Sequence, residues 1–227
     1  MQKLFYLLFD DPSADGDAIR NALIEKVAPT IRDSGGEDLY VFANDGDVAA
    51  GEPMGEIGKT IRAMVSFWLE DAADRGPAEA ALDGTVDSIA GYLVVESRPM
   101  IHTPPKGERT PGMKQISAVT KRADISREEF IRIWHTDHRQ VAIETQSTFG
   151  YVRNEIFRAL TEGAPDQWDA FVEESFPIEA LTDQLVFYDA KSQAEYEKNF
   201  GIMMESCGRF LDHGPIAVAY TSEYWLG

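Results

Sequence analysis

The feature that most constrains this chain is an order of elements that occurs twice. Residues 3–9 form a continuous apolar and aromatic run, the pattern of a buried strand, and residues 14–33 then place Ile19, Leu23, Val27 and Ile31 at helical spacing. A short strand over 39–43, a long Gly-rich loop, a strand over 61–69, a small Ala-rich helix around 78–82 and a strand over 88–97 follow. Residues 101–112 are punctuated by Pro and Gly and have no helical period, so they read as a linker. The same order then resumes: strand 113–121, helix 126–145, strands 149–157 and 171–176, a helix over about 192–207 and a strand over 216–225.

Residues match poorly between the halves, but element order matches well. The expected fold class is α+β: tandem ferredoxin-like repeats, β-α-β-β-α-β twice, in units 1–105 and 106–227. A four-stranded antiparallel sheet with both helices on one face leaves its other face bare. Two bare faces can cover one another, which predicts an eight-stranded barrel wrapped by helices, a pseudo-dimer within one chain. The expected assembly is that monomer, or a homodimer formed through its helices.

Composition narrows the partners. With 44% apolar residues the 227-residue chain can build a core, and its net charge of −18 makes nucleic acid and anionic membrane surfaces poor partners. The single cysteine, Cys207, forms no intrachain disulfide, and no apolar run approaches the roughly 18 residues of a membrane helix. The start MQKLFYLLFDDP lacks a basic leader, so the expected location is cytoplasmic.

Chemistry concentrates on the 126–145 helix. Ser126 and Glu129 have the spacing of a capping box, which fixes the helix start. At about 100° per residue, Phe130, Val141, Thr145 and His138 share the stripe of Trp134, while His135 lies at its edge and Asp137 on the other side. His138 is thus an imidazole on an apolar face, suited to acid or base work near neutrality or to a hydrogen bond within the core. His135 and His138 are one turn apart, but His102 and His213 sit elsewhere, so no metal site is expected. Tyr151 and Glu173, on the second and third strands of this half, are candidates to point toward His138.

Other motifs carry less. Residues 55–60, Gly-Glu-Ile-Gly-Lys-Thr, end like a phosphate-binding loop but have Pro53 where its first Gly belongs. Asp45, Asp47 and Glu56 echo a calcium loop, yet Ala49 and Ala50 replace a ligand and the turn glycine. Cys207, Met203 and Met204 read as packing.

Residues 125–138, Ile-Ser-Arg-Glu-Glu-Phe-Ile-Arg-Ile-Trp-His-Thr-Asp-His, resemble the first-helix signature of the EthD-like proteins of the dimeric α+β barrel superfamily. Residues 168–176, Trp-Asp-Ala-Phe-Val-Glu-Glu-Ser-Phe, resemble their third strand. The likeness covers much of the second half. His138-Arg-Gln140 departs from it, because relatives follow the His with a small residue and Pro. Pairing Ile19 with Phe130 and Leu23 with Trp134 sets Val27 opposite His138, so a His-based site would occur once per chain.

The resemblance implies a buried pocket for a small hydrophobic organic compound. It implies His138 as proton-transfer group, Asp137 tuning it, and Trp134, Tyr151 and Glu173 contacting the substrate. The implied chemistry is of dehydratase, isomerase or cofactor-free oxygenase type, and no cofactor is demanded. A non-catalytic carrier would use the same pocket, and haem binding, known elsewhere in the superfamily, is a third reading. A cavity reaching His138, with a second titratable group within about 3 Å, favours an enzyme.

Overall fold

A computed structural model describes all 227 residues. The strands are β1 (Gln2–Phe9), β2 (Glu37–Ala43), β3 (Ile61–Leu69), β4 (Ser88–Met100), β5 (Met113–Lys121), β6 (Gly150–Ala159), β7 (Ala170–Phe176) and β8 (Leu211–Trp225). They close into one antiparallel barrel in the order β1-β3-β2-β8-β5-β7-β6-β4. The strands up to Met100 therefore occupy consecutive places, as β4-β1-β3-β2, and the later ones follow as β8-β5-β7-β6. The two sets meet at two seams. One pairs β2 with β8, Val41 opposite Tyr224, and the other pairs β4 with β6, Val94 opposite Ile156.

Alternation along each strand divides its side chains between the barrel interior and the helix-covered outside. On β1, Phe5 and Leu7 enter the interior cluster, whereas Leu4, Tyr6 and Leu8 join the outer one. The interior is aromatic: Phe171 stacks on Phe5 with ring centroids 4.9 Å apart and meets the edge of Tyr92 at 5.0 Å. Outside, Leu23, Val27 and Ile31 of the 16–33 helix pack on the first sheet, and Phe130, Ile133 and Trp134 pack on the second.

Both long helices preceding β2 and β6 start on side-chain caps. The Asp15 carboxylate accepts from Asp17 N and Ala18 N, and Ser126 Oγ accepts from Glu129 N at 3.1 Å. Only half of the expected capping box forms, because the Glu129 carboxylate turns to Arg132 instead. Each helix then passes through a π turn, Leu23–Val27 in one and Ile133–His138 in the other. Those turns end on Val27 and His138, the two residues that the pairing of the helices sets opposite one another. Beyond His138 the helix continues to Thr145.

Two connections are more ordered than their sequences suggest. The Gly-rich loop contains Gly46–Val48 and Glu56–Thr60 as short helical turns and lies against β8, where Met54 and Val218 exchange backbone hydrogen bonds of 3.0 and 3.1 Å. Gly55 has φ 75°, and a Cβ there would stand 2.8 Å from the Ile216 carbonyl oxygen, so the loop needs glycine to lie this close. Within it Asp45 is buried and accepts from Ser222 Oγ at 2.7 Å, Tyr224 OH at 2.8 Å and Arg20 Nη1 at 3.2 Å. The linker also follows β8, with Gly107 N donating to Trp225 O and Thr110 N to Glu223 O. β8 itself begins at Leu211, ahead of the expected start, which gives it the length to take both attachments.

Phe171 is fully buried at the centre of the interior cluster, and truncating such a side chain costs about 3–5 kcal/mol. Phe171→Ala should lower the denaturant midpoint accordingly at unchanged m-value. A loss below about 1 kcal/mol would contradict an interior filled by this ring.

Candidate active site

A cavity of ≈ 380 Å³ lies between the outer face of β8-β5-β7-β6 and the helices over residues 127–145 and 193–208, and 16 of its 23 lining residues are hydrophobic. Strand register builds its floor. Tyr220 stands opposite Gln115, Gln115 opposite Glu174, and Glu174 opposite Tyr151, so four polar side chains cross the sheet in one row. Gln115 Nε2 donates to Glu174 Oε2 at 3.4 Å, and the Tyr151 hydroxyl accepts from Trp134 Nε1 at 2.7 Å. Tyr151 OH is thereby held in place with its own proton free to donate. The first half also contributes, since Met54 from its loop reaches the cavity wall.

His138 closes the wall from the helix side. It is 8% exposed, its ring lies 4.8 Å from that of Phe210, and its Nδ1 is 2.9 Å from Ser206 Oγ on the facing helix. When Nδ1 carries the proton and donates to Ser206, Nε2 is left as an acceptor without a protein partner. Burial, helped by the positive charge of Arg209, pushes the His138 pKa down to about 4, so the ring is neutral at pH 7. Glu174 moves the opposite way: burial raises its carboxyl to about 7 against the Gln115 hydrogen bond and the Lys114 charge. Cys207, half-buried in the same wall, is raised by desolvation to about 12 and stays a thiol.

Of the residues singled out from the sequence, Trp134, His138 and Tyr151 line this cavity together. Asp137 does not. It lies on the exposed flank, where Arg209 Nη2 donates to it at 2.7 Å and Thr136 Oγ1 at 2.9 Å, and the Arg209 contact holds its carboxyl below the usual range. The group that orients His138 is Ser206, not Asp137. Glu173 also departs from expectation, because it points into the barrel. There it accepts from Asn154 Nδ2 at 2.7 Å and Lys3 Nζ at 3.4 Å, while Lys3 also binds Glu96 at 2.5 Å. A one-residue step along a strand reverses the face, and it is Glu174 that reaches the cavity. The signal for Glu174 was its register opposite Gln115. β7 is buried on both faces, so alternation along it marks neither.

His135 turns away toward Glu155, with Nε2 3.3 Å from Oε1, and no group of three or more His, Cys, Asp or Glu is arranged to hold a metal ion. The cavity lining contains no Lys or Arg, so the carboxylates of a porphyrin would find no cationic partner there. The residues present do not fit haem.

No family model matches the chain, and no curated protein does. Solved structures do. An anthrone oxidase-like protein aligns over 100% of this chain and 94% of its own at TM-score 0.58 and 9% identity. A candidate monooxygenase from Lactobacillus acidophilus aligns over 100% and 96% at TM-score 0.50 and 10% identity. A candidate chlorite dismutase aligns over 97% and 95% at TM-score 0.50 and 10% identity. The chain shares the α+β barrel fold of these structures. At such identities the likeness speaks for that barrel alone. No helix of this α+β barrel is long and apolar enough to cross a membrane.

His138 and Glu174 give the stability of this α+β barrel two opposed pH dependences. His138 falls from 6.5 unfolded to about 4 folded, so its contribution is complete above pH 6.5 and is lost as pH falls through 4. Glu174 rises from 4.5 to about 7, so its contribution is complete below pH 4.5 and is lost as pH rises through 7. Between pH 5 and 8 each is worth about 2 kcal/mol, in opposite senses. Glu174→Gln should therefore tilt the pH profile of unfolding toward stability at pH 8, and His138→Asn toward stability at pH 5. Parallel profiles for both variants and the parent would refute these shifts.

Proposed function

We propose that the protein binds a small, mostly apolar organic molecule bearing a hydroxyl or carbonyl group in the cavity beneath His138, and moves a proton on it without a resident cofactor. The single observation that carries this reading is the apolar cavity of ≈ 380 Å³ with an imidazole in its wall. Its size falls in the range of small-molecule sites, and a few polar groups converging on an apolar lining is the composition such sites share. Neutral His138, with Nδ1 engaged by Ser206, offers Nε2 to a ligand hydroxyl as hydrogen-bond and proton acceptor. Trp134 and Tyr151 contact the ligand from the helix and the sheet.

Two finer readings belong to this proposal. The chain is a fused pair of ferredoxin-like units, 1–105 and 106–227, supported by the strand orders β4-β1-β3-β2 and β8-β5-β7-β6 and by the matching π turns. Its second unit is EthD-like, with acid–base chemistry of dehydratase, isomerase or cofactor-free oxygenase type.

One observation favours the alternative of a non-catalytic carrier: the group 2.9 Å from His138 is the Ser206 hydroxyl, not a titratable partner. Calorimetry with naphthalene and 1-naphthol tests the common ground. Both should bind once per chain, and Val172→Trp, which fills the floor, should weaken both at least tenfold. The hydroxyl should improve affinity roughly two- to tenfold, the worth of one hydrogen bond, and His138→Leu should erase that gain. Equal affinities in the parent would remove His138 from the ligand site.

A further inference from the structure

The chain buries four acidic side chains, Asp45, Glu173, Glu174 and Glu223, and one of them is treated differently. Glu96 and Glu173 share Lys3, Glu223 is bound by Lys114 at 2.7 Å, and Asp45 is bound by Arg20 at 3.2 Å. Glu155, half-buried, faces Arg127 and His135. Glu174 is 8% exposed and has no ion pair; its one hydrogen bond is the long contact from Gln115. A buried carboxyl without a cation is costly, and such a group in a cavity is a candidate for chemistry.

Its surroundings are ordered around it. From the sheet it is flanked by Gln115 and Tyr151, and Lys114 beside Gln115 points to the opposite face, into the barrel, toward Glu223. From the elements packed above, His138, Cys207 and Tyr188 line the same cavity. Each of these is neutral at pH 7: His138 sits near pKa 4, Cys207 near 12, and burial raises Tyr151 and Tyr188. Glu174 is the one carboxyl in the cavity, whose lining also includes His213 from β8 and no Lys or Arg.

The geometry points to Glu174 as the general base of this site, acting on a ligand with an acidic C–H or O–H, with the Tyr151 hydroxyl donating to the oxygen on which negative charge collects. This assignment rests on the cavity reading above and goes beyond it by naming the substrate class, an enolisable or phenolic compound. In the step, a Glu174 carboxylate oxygen takes the proton and the bonding pair stays on the ligand as an enolate or phenolate. Glu174 is left as the neutral acid, able to return the proton to another atom of the same ligand. Tyr151 is suited to the oxyanion because its oxygen already accepts from Trp134 Nε1, which fixes the ring and leaves its O–H to point elsewhere. No oxidant or metal enters the balance.

The test uses 5-nitrobenzisoxazole, a flat apolar probe that reports base strength in an apolar site. Removal of its C3 proton by a carboxylate sends the C–H pair into a nitrile, breaks the N–O bond and releases a coloured phenolate. The full-length protein should accelerate this elimination about 100-fold or more over acetate at equal carboxylate concentration, with a rate that rises through an inflection near pH 7. Glu174→Gln should bring the rate to background while still binding 1-naphthol. Glu174→Asp, which withdraws the carboxylate by one methylene, should lower it at least tenfold, and serves if the Gln variant does not fold. Turnover by Glu174→Gln equal to the parent, or no acceleration by a parent that binds 1-naphthol, overturns the assignment. Failure of the parent to bind 1-naphthol overturns the cavity reading, and this one with it.

Discussion

Closing the barrel requires that β4 match β6 and β2 match β8 at the two seams, and a buried charged cluster stands near each. At the β4–β6 seam Lys3 reaches from β1 to Glu96 on β4 and to Glu173 and Asn154 on β7 and β6. Near the β2–β8 seam Asp45 gathers Arg20, Ser222 and Tyr224. Removing one member of such a cluster leaves an uncompensated buried charge, which costs several kcal/mol and makes these contacts specific to this closure. Stacked aromatics fill much of the interior, and the pocket at its polar end, lined by Lys3, Glu96, Lys114, Glu173 and Glu223 among others, has room for only ≈ 20 Å³. The roomier cavity lies outside the barrel, under the helices.

That room is unequally divided. Beneath the first long helix, Leu23, Val27 and Ile31 are at most 2% exposed, and the Tyr6 hydroxyl donates to Glu79 at 3.1 Å, so this interface is packed through. Beneath the second, His138 stands where Val27 would, and the sheet offers Gln115, Glu174 and Tyr151 in place of an aliphatic surface. Polar groups that need partners prevent this layer from collapsing onto itself. The halves are nonetheless not independent, because Val48 from the first-half loop enters the second outer cluster and Met54 reaches the cavity. The first-half loop thus supplies part of the cavity wall.

Much of this was legible because it depends on local periodicity. The apolar runs at 3–9, 61–69 and 113–121 correspond to β1, β3 and β5, and the start of the 127–145 helix follows from its Ser126 cap. What escaped depends on distant register. Glu173 and Glu174 are adjacent acidic residues on a strand buried on both faces, and only the pairing of β7 with β5 and β6 decides which one faces the helices. Asp137 looked like a tuner of His138 from its nearness in sequence, but its partner Arg209 is 72 residues away. Ser206, 68 residues from His138, carried no signal at all. The loop over 44–60 read as an insertion because its contacts lie on β8, far along the chain.

The position of β8 has a consequence for how the protein is made. It leaves the ribosome after the other seven strands of the barrel, yet it lies between β2 and β5 and receives the 49–60 loop and the 101–112 linker along its length. Until it arrives, the nascent chain presents two unpaired strand edges in the middle of the future barrel and the inner face of the first sheet uncovered, a state prone to edge-to-edge association. Its Trp225 pairs with Tyr40 of β2, far back along the chain, so closure carries a large loop entropy and comes late. Loss of these 15 residues would therefore not shorten a tail but reopen the barrel on both sides at once.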